Sequence, residues 1–366
     1  MHSRRLRVFG SLIATLAACV LAAPAAHAAE HWQPLADPAP GTTNNEDGSF
    51  HHPVTVTAVS GDTAYMLVID PLGRLEVYRA RLGDARWRLI GKLHQTGGEP
   101  TGYPGIGVSG KTVWVAWYQL EDADSLAHLH LATSSGGAFR EIGRGDDPLG
   151  VPAVFIGSRP SFATYRGDVY MATASGVLRI SKNGRRVEQV SAGSGLGDGV
   201  QAWLVESGNR LLLVTSGGVV SRLNRRGTAW ETVATTDGRV ADAAVGGGPL
   251  YVVVDDGLGQ LLRLTPAGTF EPVPGPPWAI RQVAVVRGVV YVGGTETPAP
   301  EAPAELKIFA LENGAWRQVV DPVAPDPDAS YFDLIDGGAN LWLHWVSTPH
   351  GPFSFPGTVH VARLLR

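Results

Sequence analysis

Seven times the chain sets down an aromatic or aliphatic residue, usually then Arg, Glu or Gln, then any residue, then Ile, Val or Leu. The copies begin at Trp32, Trp87, Phe139, Val187, Trp230, Phe270 and Trp316. A period of roughly 40–55 residues with short β-type segments marks a propeller, solenoid or array, because one such unit cannot bury its apolar faces alone. The repeat therefore limits the fold more than any single motif does.

Between successive copies lie three further strand-like runs, giving four strands per unit. In the first unit they are 54–59, 63–69, 75–80 and 87–93. The second strand is the most regular, with Tyr65, Trp114, Tyr170, Leu212, Tyr251, Tyr291 and Trp342 at matching places. Its apolar runs are continuous rather than alternating, as expected for strands covered on both faces. Seven four-stranded units packed radially make an all-β, seven-bladed β-propeller, a form that leaves only short protected edges. The seventh unit ends after its third strand, at 357–365, and lacks a fourth. The segment His31-Trp32-Gln33-Pro34-Leu35 carries the fourth-strand signature ahead of the first unit. The sequence thus predicts that the N-terminal strand completes the last blade and closes the ring, removing two open edges.

Composition agrees with this reading. Charged residues make up 17% of the chain, while Gly (46) and Pro (26) are abundant enough to supply the turns of many short strands. A net charge of −4 gives no basic footprint for nucleic acid. Residues 1–28 read as a signal peptide: Arg4, Arg5 and Arg7, an apolar run from Val8 to Leu21, then Ala26-His27-Ala28 as a small-x-small cleavage site. The apolar run is short for a membrane span, and none is expected after its removal. Residues 29–366 are expected to form one secreted or periplasmic domain. Leu16-Ala17-Ala18-Cys19 resembles a lipobox, so a lipoprotein anchored through Cys19 is the alternative, and Arg4-Arg5 also permits twin-arginine export. Cys19 is the only cysteine. Cleavage after Ala28 would leave a domain without disulfides, thiolate nucleophiles or Cys metal ligands.

Three approaches to first strands share a pattern: His52-Pro53, Tyr103-Pro104 and Arg159-Pro160. Proline presets an extended backbone and removes one donor, so the residue before it can point to the channel mouth. His52, Tyr103 and Arg159 could there supply a base, an acid and a cation for work on an anionic sugar. Tyr118, Trp345, Phe353 and Phe355 lie in or near long loops and could stack on sugars or anchor a protein.

The stretch from Gly110 to Gly143 contains Val113-Trp114-Val115-Ala116-Trp117 and then Leu131-Ala132-Thr133-Ser134-Ser135-Gly136-Gly137-Ala138-Phe139. It resembles a sialidase-type repeat ending in an Asp-box, with Thr133, Gly137 and Phe139 as the matching positions. Ser135 stands where the Asp would be. The resemblance covers one blade; the other blades share only the period. It implies carbohydrate recognition, and polysaccharide lyases of similar repeat class imply roles for His, Tyr and Arg. True sialidases use an arginine triad and a Tyr-Glu pair, but neither their Arg-Ile-Pro entry motif nor an obvious nucleophile pair is present in this sequence. Tyr291-Val292-Gly293-Gly294 followed by Trp316 also resembles a kelch repeat. The copper oxidases of that group require a cysteine cross-linked to tyrosine.

His128 and His130 share one face of a strand, but a metal would need a third ligand and none is identifiable. Asn44 to Gly48, Glu121 to Asp124 and Asp326 to Asp328 are acidic loops without the full ligand order of a calcium site. No cofactor or metal is expected. The chain reads first as a binding module for a glycan or an envelope protein. A carbohydrate-active lyase or hydrolase is the second expectation, and an envelope assembly scaffold is the third. One propeller frame hosts all three.

Overall fold

The computed structural model describes residues 30–36, 39–40, 54–69, 74–93, 100–120, 127–142, 152–153, 158–173, 175–191, 193–197, 200–276, 278–296, 305–319, 329–347 and 358–366. Among these residues every regular element is a β-strand, and no helix is long and apolar enough to cross a membrane. The strands form seven antiparallel sheets in sequence order around a ring.

The first strands of the blades are Val54–Ser60, Pro100–Ser109, Ser161–Tyr165, Ala202–Ser207, Arg239–Val245, Gln282–Val286 and Ala329–Asp336. Each contacts the first strand of the next blade, and the last returns to the first. They line the axis. Second strands such as Leu341–Ser347 are buried along their whole length, which explains their unbroken apolar sequence. Core clusters therefore lie between sheets, each shared by neighbouring blades.

The repeat signature has a physical role at these interfaces. In blade one the indole Nε1 of Trp87 donates to the carbonyl of Ala36 at 2.9 Å. Trp230 of blade four donates to Val190 at 2.6 Å, and Trp316 of blade six to Pro274 at 2.5 Å. In each case the acceptor lies just past the outer strand of the preceding blade. Phe139 has no N–H to give and instead packs its ring against Gly91 of blade one, where a β-carbon would stand 2.3 Å from it. A second set of ties sits near the axis. Ser161 Oγ accepts the N–H of Leu204 at 3.0 Å, Asp242 Oδ2 that of Val283 at 2.8 Å, and Gln282 Oε1 that of Leu334 at 2.7 Å. Each tie joins one first strand to the next.

The N-terminal strand His31–Pro34 pairs antiparallel with Thr358–Leu365, Trp32 opposite Leu364 and Gln33 opposite Arg363. Pairing continues through Leu35 N–H to Val361 O at 2.9 Å. Trp32 is buried between blades six and seven, and Glu30 binds both Arg317, at 2.6 Å, and Arg366, at 3.0 Å. Closure is made by strand, core and charge together.

Blade two departs from the expected single fourth strand. Its third strand, Ala127–Ser134, is eight residues long, while Arg140–Glu141 covers only one end of it. Pro152–Ala153 pairs with the other end, opposite His128 and Ala127. The outer edge is covered in two pieces because the first is too short.

Deleting residues 29–38 should lower the melting temperature, and an unchanged value would contradict the closure. Trp32→Ala should cost about 3–5 kcal/mol, as large aromatic truncations in cores do. Trp230→Phe keeps an aromatic ring, though a smaller one, but orphans the Val190 carbonyl, so urea denaturation should show a loss of roughly 1–3 kcal/mol.

Candidate functional site at the channel mouth

Antiparallel blades place the starts of all first strands at one end of the channel. A pocket of about 650 Å³ opens there, lined among others by Tyr103, Arg159, Gln201, Trp203, Asp242, Arg281, Tyr331 and Asp333. Three first strands lose regular register against their second strands, between Thr101 and Gly105, Val240 and Asp242, and Ala329 and Tyr331. Each irregularity delivers a lining residue: Tyr103, Asp242 and Tyr331. Bulges re-aim side chains and are common beside functional sites. Tyr103 is thereby 53% exposed despite its place in a strand.

Blades two and three meet closely at this point. A β-carbon on Gly105 would lie 2.4 Å from the carbonyl of Pro160. Only glycine lets the Tyr103-Pro104 and Arg159-Pro160 approaches lie side by side. The backbone of Arg159 is held by Gln201, whose Oε1 accepts its N–H at 2.8 Å and whose Nε2 donates to its carbonyl at 3.1 Å.

The Arg159 side chain reaches from blade three to blade seven. Its guanidinium donates to Asp333 Oδ2 at 3.2 Å and to the Tyr331 hydroxyl, which itself donates to Asp333 Oδ2 at 2.7 Å. The guanidinium also lies 5.5 Å from the Tyr331 ring centre. His344 Nδ1 stands 3.6 Å from the same carboxylate oxygen, and its Nε2 is 3.0 Å from Thr55 Oγ1 of blade one. Gln282 Nε2 donates to Asp333 Oδ1 at 3.1 Å. One carboxylate thus gathers groups from blades three, six and seven.

Burial sets the electrostatics and opposes every charge here. For Asp333 burial alone would raise the pKa, but the Arg159 charge, His344 and the Tyr331 hydroxyl overcome it and hold the carboxyl well below the usual range. Burial likewise opposes the charge on Arg159, yet Asp333 and Tyr331 outweigh it and hold the guanidinium protonated above its usual range. Burial, then the Asp333 charge, pushes the Tyr331 phenol upward, so it stays a donor. Among the described residues no such cation is in contact with Asp242. Burial raises its carboxyl from the usual 3.8 to about 7, with the Val283 and Ala243 backbone N–H groups partly opposing.

Of the residues singled out from sequence, Tyr103 and Arg159 share this pocket, while His52, Phe353 and Phe355 lie outside the described residues. Arg159 is engaged with Asp333 and Tyr331 rather than presented as a lone cation. Tyr118 and Trp345 are core residues, 1% and 3% exposed. Trp345 stacks on His360 at 4.8 Å, and burial pushes the Tyr118 phenol up. Neither offers a ring face to a ligand, because both belong to second strands covered on both sides. His130 stacks on Trp117 and contacts Glu141 at 2.7 Å. No group of three His, Cys, Asp or Glu able to hold a metal occurs among the described residues. Sequence reasoning missed Asp242, Tyr331 and Asp333. For the two carboxylates the signal was an Asp in mid-strand, Asp242 within Arg239–Val245 and Asp333 within Ala329–Asp336.

No family model and no curated protein matches the chain. Solved structures resemble it in fold. A structure of YCF48 bound to D1 peptide superposes with a TM-score of 0.59 at 14% identity, covering 92% of this chain and 95% of that one. YCF48 from Cyanidioschyzon merolae gives 0.55 at 12% identity, covering 91% and 98%. The Pan2 WD40 domain of Neurospora crassa gives 0.53 at 13%, covering 91% and 95%. At such identities the likeness carries the propeller architecture alone. Beyond the shared propeller fold, these likenesses carry neither the sialidase nor the kelch resemblance.

Arg159→Met should cost about 3–5 kcal/mol, because Asp333 is left as an uncompensated buried charge. For Asp242 the folded pKa of about 7 lies above the usual 3.8, so the folded state holds its proton longer. Its stabilising contribution is full below about pH 4 and is lost as pH rises through about 7. Urea denaturation across this range should show the wild type losing stability relative to Asp242→Asn. Asp333 has the opposite sign: its contribution is present above 3.8 and fades as pH falls below that value.

Proposed function

We propose that the chain is an exported binding module that holds a polypeptide segment of an envelope or extracellular partner over the channel mouth. The observation that carries this reading is the open pocket, with an exposed Tyr103 ring above a floor of paired opposite charges. Arg159 and Arg281 line the pocket together with Asp333 and Asp242, so it has no strong preference for a polyanion. An extended peptide presents alternating donors and acceptors, which suits a rim where arginine, phenol, amide and carboxylate alternate. Large rigid aromatics and arginine are the side chains that anchor protein interfaces most strongly. The fold likeness to a propeller solved with a bound peptide is consistent with this use. Export rests on the leader-like residues 1–28.

A neutral glycan is the second reading, favoured by the aromatic rings of Tyr103 and Trp203, which both line the pocket. The lyase or hydrolase reading would need His52 to join Tyr103, and a cation other than the already engaged Arg159.

Purified mature chain would be applied to peptide and neutral-glycan arrays, with Tyr103→Ala and Arg281→Ala as variants. Peptide retention weakened about tenfold or more in both variants, with unchanged melting temperature, is the expected outcome. Equal retention by wild type and variants would remove the mouth as the binding site. Retention of glycans alone would transfer the reading to sugars, and product release abolished by His52→Ala would establish an enzyme.

A further inference from the structure

The opposite end of the ring, where the turns joining first to second and third to fourth strands gather, carries a different surface. Between blades three and four a groove of about 610 Å³ is lined by Arg166, Arg210, Arg222, Arg225 and Arg226, with Glu231 as its one carboxylate. Arg222 is paired with Glu231 at 3.1 Å. Arg166, Arg210, Arg225 and Arg226 are exposed. The chain as a whole carries an excess of negative charge, so this concentration of cations is local.

The backbone marks Arg166 as unusual. In the turn between first and second strands the blades place Gly61, Gly110, Gly208, Gly247 and Gly338 at φ between 59° and 79°, the left-handed region. Blades three and six place Arg166 (φ 52°) and Arg287 (φ 51°) there instead. A side chain in that region costs backbone energy that glycine avoids. At Arg166 this cost puts a guanidinium over the Tyr165 ring, 5.0 Å from its centre, and lets Nη1 donate to the Arg225 carbonyl at 3.1 Å. The Arg225-Arg226 turn is braced further by Asn224, which accepts the N–H groups of Gly227 and Thr228, both at 3.0 Å. The arginines are thus held on rigid turns before any ligand arrives.

We infer that this groove is a binding site for a phosphate-type oxoanion, either free or as a lipid headgroup. Guanidinium forks match the oxygens of phosphate pairwise, and a tetrahedral group can engage several forks at once, whereas one fork satisfies a carboxylate. The site is independent of the channel mouth and of the reading given to it.

Calorimetric titration of the mature chain with pyrophosphate at low salt, with citrate as a carboxylate comparison, tests the site. Phosphatidic acid vesicles form a second arm. Binding of pyrophosphate in preference to citrate is expected, weakened about tenfold by Arg166→Gly and further by Arg225→Ala with Arg226→Ala. Arg86→Ala, on a distant blade, should bind as wild type. Arg166→Gly installs the residue used by most other blades, so its melting temperature should hold or rise and the loss cannot come from unfolding. Vesicle retention alongside pyrophosphate binding would identify a headgroup, and pyrophosphate binding alone a soluble phosphate. Equal affinity for citrate, or binding indifferent to Arg166→Gly and the double variant, would overturn the assignment.

Discussion

The structure depends on ties between blades more than on pairing within them. A four-stranded sheet with two apolar faces has no stable existence alone, so each face must meet a neighbour. The indole-to-carbonyl bonds of Trp87, Trp230 and Trp316 fix where the outer strands meet. The ties from Ser161, Asp242 and Gln282 do the same beside the axis. Each bond contributes only about 0.5–1.5 kcal/mol net. Their joint effect is to set the angle and register at which apolar faces are buried, and that burial is the larger stabilising effect.

The same inner ties explain why chemistry collects at one end of the channel. Asp242 holds Val283 of the next blade and lines the pocket, while Gln282 holds Leu334 and binds Asp333. Groups placed for architecture are thus the groups a ligand would meet. Three register irregularities turn Tyr103, Asp242 and Tyr331 out of otherwise ordinary strands. Arg159 then spans the channel to Asp333, so the mouth has a fixed floor and a freely presented aromatic rim.

Much of this architecture was legible in the sequence because it repeats. The Trp and Phe positions heading the outer strands mark inter-blade contacts, and Trp32 before the first blade reveals closure by the chain's own missing strand. The pairing of Tyr103 with Arg159 was partly legible, since Xaa-Pro approaches recur at strand starts and Gly105 permits their close approach. The role of Asp333 was not, because it depends on a partner 174 residues away in sequence. Tyr118 and Trp345 misled for a related reason. A position near a long loop says nothing of which face a neighbouring blade covers, and both rings are buried by one. The arginine groove is scattered over turns from Arg166 to Arg226, and no local motif joins them.

Closure of the ring underlies every interface and both surfaces, so it is the claim to test first. Hydrogen–deuterium exchange read by mass spectrometry would follow the amides of residues 31–35 and 358–365 against those of the second strands. Closure predicts that these segments exchange slowly and together with the rest of the ring, through global unfolding. Exchange of residues 31–35 within seconds, while the second strands stay protected, would contradict it.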